Sequence, residues 1–326
     1  MKEKTRWPSV SFIVCTYNCR DYAERCFKSI KEQDYPGKIE IIASDGSENG
    51  YSNDGTLEVL KKLKVKIVRA KNLPEGKNGA KRVGYKNATG KVVIFIDSDN
   101  RLVEKDWLKK MIKPLAEDKG VNFCICRMAV VKSDKAINRY LSLIGTDPFA
   151  DYKSIDSLLA LGRLKLTDKG DYYTYRIMPE NFIITGGYSF AAKKETLEKI
   201  GGYTQDTDVV YNLAKRGMAN VAIPKNAHVH HLISDSIVKF TKKKIWWGKI
   251  YFEKQIHNRD FNWVPENKKE KVKMVTRIIR NFLFIPAGIT GIRMAIKDKE
   301  RAWLLHPLMT WLTTTAYFYA FLTSKV

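Results

Sequence analysis

The sequence predicts an α/β fold built around a doubly wound, mostly parallel sheet, and three features carry that prediction. Short apolar runs alternate with amphipathic segments from Val10 to Val131, the order from which parallel sheets are assembled. The run from Lys91 to Ile96 is continuous rather than alternating, as in a strand buried on both faces. At 326 residues and 44% hydrophobic side chains, the chain is long enough to enclose such a sheet.

Val10 to Thr16 is the first expected strand, and Asp21 to Gln33 follows with Tyr22, Ala23, Cys26, Phe27 and Ile30 at helical spacing. Ile39 to Ser44 is a second strand that ends at Asp45, Gly46 and Ser47. Gly55 to Leu63 reads as a helix leading into a strand over Val65 to Val68, and Gly79 to Ala88 as a helix closed by Gly90. The strand after it delivers Asp97 and Asp99. A helix over Lys105 to Glu117 and a strand near Phe123 to Val131 come next. Between Ile137 and Pro179 the pattern turns irregular, and this stretch is expected to be an insertion over the site. Regular signals return at Phe182 to Phe190, in a helix over Glu195 to Ile200, and in a helix over Val209 to Lys215 that follows Gln205, Asp206, Thr207 and Asp208.

The C-terminal quarter differs in kind. Of the formal charge of +23, an excess of 12 falls from Lys239 onward, where 18 Lys and Arg face 6 Asp and Glu. That charge asks for an anionic partner. Val275, Ile279, Phe282, Ile289 and Ile296 recur at helical spacing within Val272 to Ile296, interrupted by Arg277, Arg280 and Arg293, an amphipathic surface pattern. Ala302 to Ser324 carries no Lys, Arg, Asp or Glu and is a candidate transmembrane span, against which His306, Pro307, Thr310, Thr313, Thr314 and Thr315 stand. A buried or interfacial helix is the alternative. Cys15, Cys19, Cys26, Cys124 and Cys126 include no C-x-x-C pair and read as buried thiols of a reducing compartment. Met1 to Pro8 is too short and polar for a signal peptide, so the main domain is expected in the cytosol.

Asp97 and Asp99 are the chemically pointed pair. In extended backbone, positions two apart face the same way, and ligands of open α/β sheets gather beyond the carboxyl ends of the strands. Two hard oxygens there suit Mg²⁺ or Mn²⁺, which would hold the oxygens of a diphosphate. A second D-x-D, at Asp206 and Asp208, lacks a strand before it, and Asp206 could equally cap the helix that follows.

These residues resemble glycosyltransferase family 2, whose catalytic domain has the GT-A fold, over Val10 to about Trp247. The opening strand ends in Thr16, Tyr17 and Asn18, matching the family's T-Y-N, and Glu40 to Asp45 match its E-I-I-x-x-D. The resemblance implies that Asp45 hydrogen-bonds the nucleotide base, that Thr16, Tyr17 and Asn18 line that pocket, and that Asp97 and Asp99 hold the metal at the donor diphosphate. Lys81 and Arg82 stand where the family has a basic segment, displaced from its usual pattern. Gln205 and Asp206 match the family's E-D pair, which assigns Asp206 as catalytic base and puts glutamine in place of the acceptor-side glutamate. His231, with His230 as the alternative, matches a histidine after the domain's last strand and completes the implied metal set. Trp246 and Trp247 are expected either to line the acceptor pocket or to anchor at an interface. The Q-x-x-R-W form of processive members is absent there, which argues against a polymerising synthase.

The expectation is an inverting, metal-dependent glycosyltransferase at the cytosolic face of a membrane, taking sugar from a nucleotide-diphosphate donor to a glycan or lipid-linked acceptor. Residues 1–238 would form the GT-A domain, with a donor half to about residue 100, and 239–326 a basic helical region on an anionic membrane surface. A polyprenyl-phosphate glycosyl synthase is the rival enzyme. A basic nucleic-acid-binding protein is the rival of another class, and it is disfavoured because the strand ends are acidic and the basic residues flank apolar helices, so no nucleic acid is expected as partner.

Overall fold

The structure is a computed structural model that describes residues 7–70, 79–265 and 267–324. It divides into two compact units, one of Met1–Ala129 with Lys165–His231 and the other of Val130–Leu164 with Leu232–Val326. The irregular stretch that starts near Ile137 therefore groups up to Leu164 with the C-terminal residues.

Every strand among the described residues belongs to the first unit. They are β1 (Val10–Thr16), β2 (Ile39–Asp45), β3 (Lys66–Arg69), β4 (Val92–Asp97), β5 (Asn100–Leu102), β6 (Phe123–Cys124), β7 (Arg127–Met128), β8 (Thr167–Asp168), β9 (Tyr172–Arg176), β10 (Ser189–Lys193), β11 (Asn220–Pro224) and β12 (His228–His231). The main sheet runs β3-β2-β1-β4-β10-β6-β11-β9-β8, and β5-β12-β7 form a small second sheet. β3, β2, β1 and β4 are parallel to one another. β10 then pairs antiparallel with both β4 and β6, and β9 with both β11 and β8. The sheet is thus mixed, a correction to the mostly parallel expectation. An apolar run reports burial on both faces and says nothing of direction, so the reversal at β10 leaves no trace in the sequence.

The parallel half is where the core is densest. Val10, Phe12, Ile13 and Val14 of β1 and Val93 to Ile96 of β4 are buried, and each such apolar side chain contributes roughly 1.5–3 kcal/mol on removal from water. Helix Arg20–Lys31 buries Ala23, Cys26, Phe27 and Ile30, the i, i+3, i+4, i+7 stripe of an amphipathic helix. Helix Ala80–Lys86 lies closer still on β1. A Cβ at Gly84 would overlap the Ile13 side chain, so only glycine permits that approach. Ser44 Oγ donates to the Ala80 carbonyl at 2.7 Å and pins the start of the same helix to β2.

The second unit is helical, with Ala136–Ile144, Ile155–Ala160, Ile237–Ile250, Lys268–Phe282, Ile285–Asp298 and His306–Thr323 as its α-helices. Helices Ile237–Ile250 and His306–Thr323 touch at Gly248, where a Cβ would lie 2.7 Å from that of Ala320. The amphipathic stretch over Val272 to Ile296 is two helices rather than one, meeting at 76°. Phe284 takes φ 61° at the break, in the left-handed region, and Pro286 follows in the first turn of the next helix, where its missing N–H is no loss.

The candidate span Ala302 to Ser324 is also corrected. Among the described residues no single helix is long and apolar enough to cross a membrane, whereas the bent pair Lys268–Phe282 and Ile285–Asp298 has the length and composition of a broken span or re-entrant loop. Helix His306–Thr323 instead buries His306, Met309, Thr310, Thr313, Thr314, Ala316 and Ala320 within its unit. Three of its threonine hydroxyls are satisfied locally, Thr310, Thr313 and Thr314 each donating to the carbonyl four residues back, while the buried Thr315 hydroxyl has no partner among the described residues.

Candidate active site

Parallel register sets the first part of the site. β1 pairs Thr16 with Asp45 of β2 and Cys15 with Asp97 of β4, so three strands end level and their last side chains emerge together at the carboxyl edge. Asp45 is fully buried and well supplied with donors. Its Oδ1 accepts from Thr16 Oγ1 at 3.0 Å and Ser52 Oγ at 2.6 Å, and its Oδ2 from the Ser52 N–H at 3.1 Å and Arg69 at 3.4 Å. The Arg69 guanidinium also lies 4.6 Å over the ring of Tyr51. Asn18, at φ 45°, takes the Asn53 N–H on its side chain while its own N–H donates to Ser52 Oγ. Tyr17 beside it is exposed.

A second cluster forms where β4 passes into β5. β12 lies antiparallel to β5 with His231 opposite Asn100, which carries the His231 ring to Asp99, Nε2 to Oδ1 at 3.2 Å. Asp97, Asp99 and His231 each offer a ligand atom, and these atoms lie within 4.8 Å of one another. The register selects His231 over its neighbour, because His230 pairs with Arg101 and so points to the other face of the strand. Two carboxylates and one imidazole make a donor set that suits Mn²⁺ or Mg²⁺.

Lys81 ties that cluster to the second D-x-D. Its Nζ is 3.0 Å from Asp97 Oδ1 and 2.9 Å from Asp206 Oδ2. Burial works against the ammonium's charge, yet Asp206 and Asp97 outweigh it and hold Lys81 protonated well above its usual range. One cation cannot fully compensate two carboxylates. Burial, with Asp97 adding, accordingly raises the Asp206 carboxyl above the ordinary value while Lys81 opposes the rise.

Asp206 does not cap its helix. It is the first residue of Asp206–Lys215, behind Gln205, whose side chain makes no cap. Its carboxylate instead accepts from Lys81 and from the Tyr203 hydroxyl. Tyr203 is buried and stacks on Phe95 of β4, centroids 4.2 Å apart. Sequence reasoning passed over this tyrosine; the signal available was an aromatic residue just before Gln205 and Asp206, after a glycine pair. Gln205 is half-buried, and its side-chain oxygen has no hydrogen-bond partner among the described residues. Arg82, next to Lys81, is half-buried. Trp246 and Trp247 belong to the other unit, on helix Ile237–Ile250, their rings 4.8 Å apart and Trp246 exposed.

A family model described as "Glycosyl transferase family 2" matches residues 11–201. Among curated proteins, the GalNAc(5)-diNAcBac-PP-undecaprenol beta-1,3-glucosyltransferase of Campylobacter jejuni is 36% identical over 101 residues, 29% of this chain and 31% of that protein. The UDP-Glc:alpha-D-GlcNAc-diphosphoundecaprenol beta-1,3-glucosyltransferase WfaP of Escherichia coli is 37% identical over 93 residues, 28% of this chain and 35% of that one. The matched stretch spans about a third of the length of these relatives. Among solved structures, the mannosyltransferase PcManGT from Pyrobaculum calidifontis in complex with GDP-Man and Mn²⁺ is similar at 18% identity with a TM-score of 0.49, over 97% of this chain and 88% of that one.

Proposed function

This chain belongs to glycosyl transferase family 2, and we propose that it is an inverting, metal-dependent glycosyltransferase that moves a sugar from a nucleotide-diphosphate donor to a hydroxyl of a lipid-linked or glycan acceptor at the cytosolic face of a membrane. The observation that carries the reading is Lys81, whose ammonium contacts both Asp97 of the acidic metal set and Asp206. It links the end that would hold a diphosphate to the carboxylate that would take a proton.

In this reading the nucleoside lies at the β1–β2 edge. Asp45, fixed by Thr16, Ser52 and Arg69, presents a rigid carboxylate to the base, and the exposed ring of Tyr17 flanks it. Asp97, Asp99 and His231 would hold Mg²⁺ or Mn²⁺, which when bound supplies positive charge to the leaving diphosphate. Asp206 accepts the proton of the attacking hydroxyl, and its raised affinity for protons favours that task. Lys81 and Tyr203 orient it. The partnerless Gln205 oxygen has hydrogen-bonding capacity left for an acceptor hydroxyl. One base facing the anomeric carbon from the side opposite the leaving group gives a single displacement, hence inversion.

A phosphate acceptor is already ionised and needs no base. The environment of Asp206 therefore favours a hydroxyl acceptor over the polyprenyl-phosphate synthase reading. The names of the relatives, which specify undecaprenol-linked acceptors, support a lipid-linked one. A panel of nucleotide sugars scored for release of UDP or GDP, with and without chelator and with the product anomer read by NMR, tests the proposal. Release undiminished by chelation, or retention at the anomeric carbon, would sink it.

A further inference from the structure

The second unit leaves the apolar faces of two helices uncovered. A helix on a water-soluble domain turns its apolar stripe inward. Here Val272, Val275, Ile279 and Phe282, at i, i+3, i+7 and i+10, face outward on helix Lys268–Phe282, and Ile285, Ile289, Ile292 and Ile296 do the same on helix Ile285–Asp298, each between 42% and 74% exposed. Several polar groups are buried as well, beside an apolar core that includes Leu141, Ile144, Trp303 and Met309. Asn281 is buried and donates to Thr314 Oγ1 at 2.8 Å, Tyr140 shares a hydrogen bond of 2.8 Å with His306, and Asp151, 1% exposed, pairs with Arg277. Exposed apolar stripes of this extent mark a surface that is covered in use.

Behind those stripes is a narrow cavity with room for about one water, lined by Asp151, Arg277, Asn281 and His306 together with the exposed Arg163 and Arg280. Asp151 neutralises Arg277. His306 adds no charge, since burial and the nearby arginines keep it neutral. Arg280 and Arg293 lie near Arg163, which Asp151 also attracts, and among the described residues none of these three forms a salt bridge. The cavity is left flanked by an excess of guanidinium groups, whose planar forks match the paired oxygens of a phosphate.

We propose that the exposed arginines beside this cavity, Arg163 and Arg280, bind the phosphate of a membrane lipid while the exposed stripes of the bent helix pair enter the surrounding acyl layer. The two halves of the feature require each other. Apolar stripes alone would suit a second copy of this chain, and arginines alone would suit any soluble anion. Apolar side chains beside exposed arginines fit the boundary where headgroup phosphate meets hydrocarbon. The inference rests on the membrane placement proposed above and not on the transfer reaction.

The test is flotation of the full chain with vesicles of phosphatidylcholine alone or with phosphatidic acid added, in the absence of donor and metal. Wild type should prefer the phosphatidic acid vesicles. R163Q/R280Q should lose that preference by at least about 10-fold more than K268Q/K269Q, which removes the same charge from exposed lysines, because charge-assisted hydrogen bonds add to diffuse attraction. I285S/I289S should float with neither vesicle. Equal losses in the arginine and lysine pairs would reduce the arginines to diffuse charge and overturn the proposal. So would displacement of the chain by inorganic phosphate matched to the lipid phosphate concentration, which would assign the arginines to a soluble anion. If I285S/I289S still floats but no longer self-associates, the stripes are a contact between copies and the proposal falls. Since the readout needs neither donor nor metal, its failure and failure of the transfer reading are separable.

Discussion

Lys81 Nζ sits 2.9 Å from Asp206 Oδ2, joining the helix that leads into β4 with the helix that begins at Asp206. The contact gives Asp206 a partner other than its own helix end, and the two available explanations of this carboxylate then make different forecasts.

Replacing Asp206 with Asn keeps its size and part of its hydrogen bonding but removes proton acceptance. Turnover should fall about 10²-fold or more while donor affinity persists. Thermal stability should change little by way of the helix end, because the side chain caps nothing. A variant with near-normal turnover in steady-state assays would remove Asp206 from the base role.

Tyr203→Phe separates orientation from packing. The ring keeps its stack on Phe95, so the melting temperature should hold, whereas loss of the hydroxyl that donates to Asp206 should lower turnover by about 10-fold, the scale of a hydrogen bond to a charged group. Unchanged turnover would make the contact structural only.

Chelation should abolish nucleoside diphosphate release, and Mn²⁺ or Mg²⁺ should restore it. Asp99→Ala should lose most of the rate, and His231→Ala should weaken metal binding read directly by calorimetry. Equal metal affinity in wild type and both variants would disconnect the cluster of Asp97, Asp99 and His231 from any ion.

Ser52 supports the Asp45 carboxylate through its hydroxyl at 2.6 Å. Ser52→Ala should raise the donor KM by about 5–10-fold with kcat nearly constant, the effect of roughly 1 kcal/mol of lost positioning. A drop in kcat at unchanged KM would contradict a donor-side role for Asp45.

His306 gives the second unit a pH signature. Burial, reinforced by Arg277 and Arg163, depresses its pKa from 6.5 to about 3. Above 6.5 the imidazole is neutral both folded and unfolded, and its contribution is fully present. As pH falls from there towards 3, the unfolded chain takes up a proton that the folded chain refuses, so stability should decline by up to about 1.4 kcal/mol per pH unit. Denaturant unfolding at pH 7, 6 and 5 should show that slope, and His306→Asn should flatten it.

Much of the first unit was legible because its signals are local. β1 was readable from the apolar run of Val10 to Thr16, and the strand ending at Asp97 from Lys91 to Ile96, each matching the structure closely. The convergence of Thr16, Asp45 and Asp97 follows from parallel register once those strands are drawn. What escaped depends on partners distant in sequence. The antiparallel β10 was hidden because burial does not encode direction, and Tyr203 because what holds it beside Asp206 is a stack on the distant Phe95. The apolar periodicity of Val275, Ile279 and Phe282 was read as a surface pattern, and that face does point outward, but the break at Phe284 that splits the stretch into two helices was not visible.

Gly84 has a reach out of proportion to its size. It allows helix Ala80–Lys86 to rest directly on Ile13, and Lys81 lies almost one turn before it on that helix. A single methyl at this position would lift the helix from the sheet and with it the ammonium from Asp97 and Asp206. The consequence is one of inheritance: a lineage that drifted to alanine here would keep each chemically active side chain and still lose the arrangement, so this site is guarded at a position that bears no functional group at all.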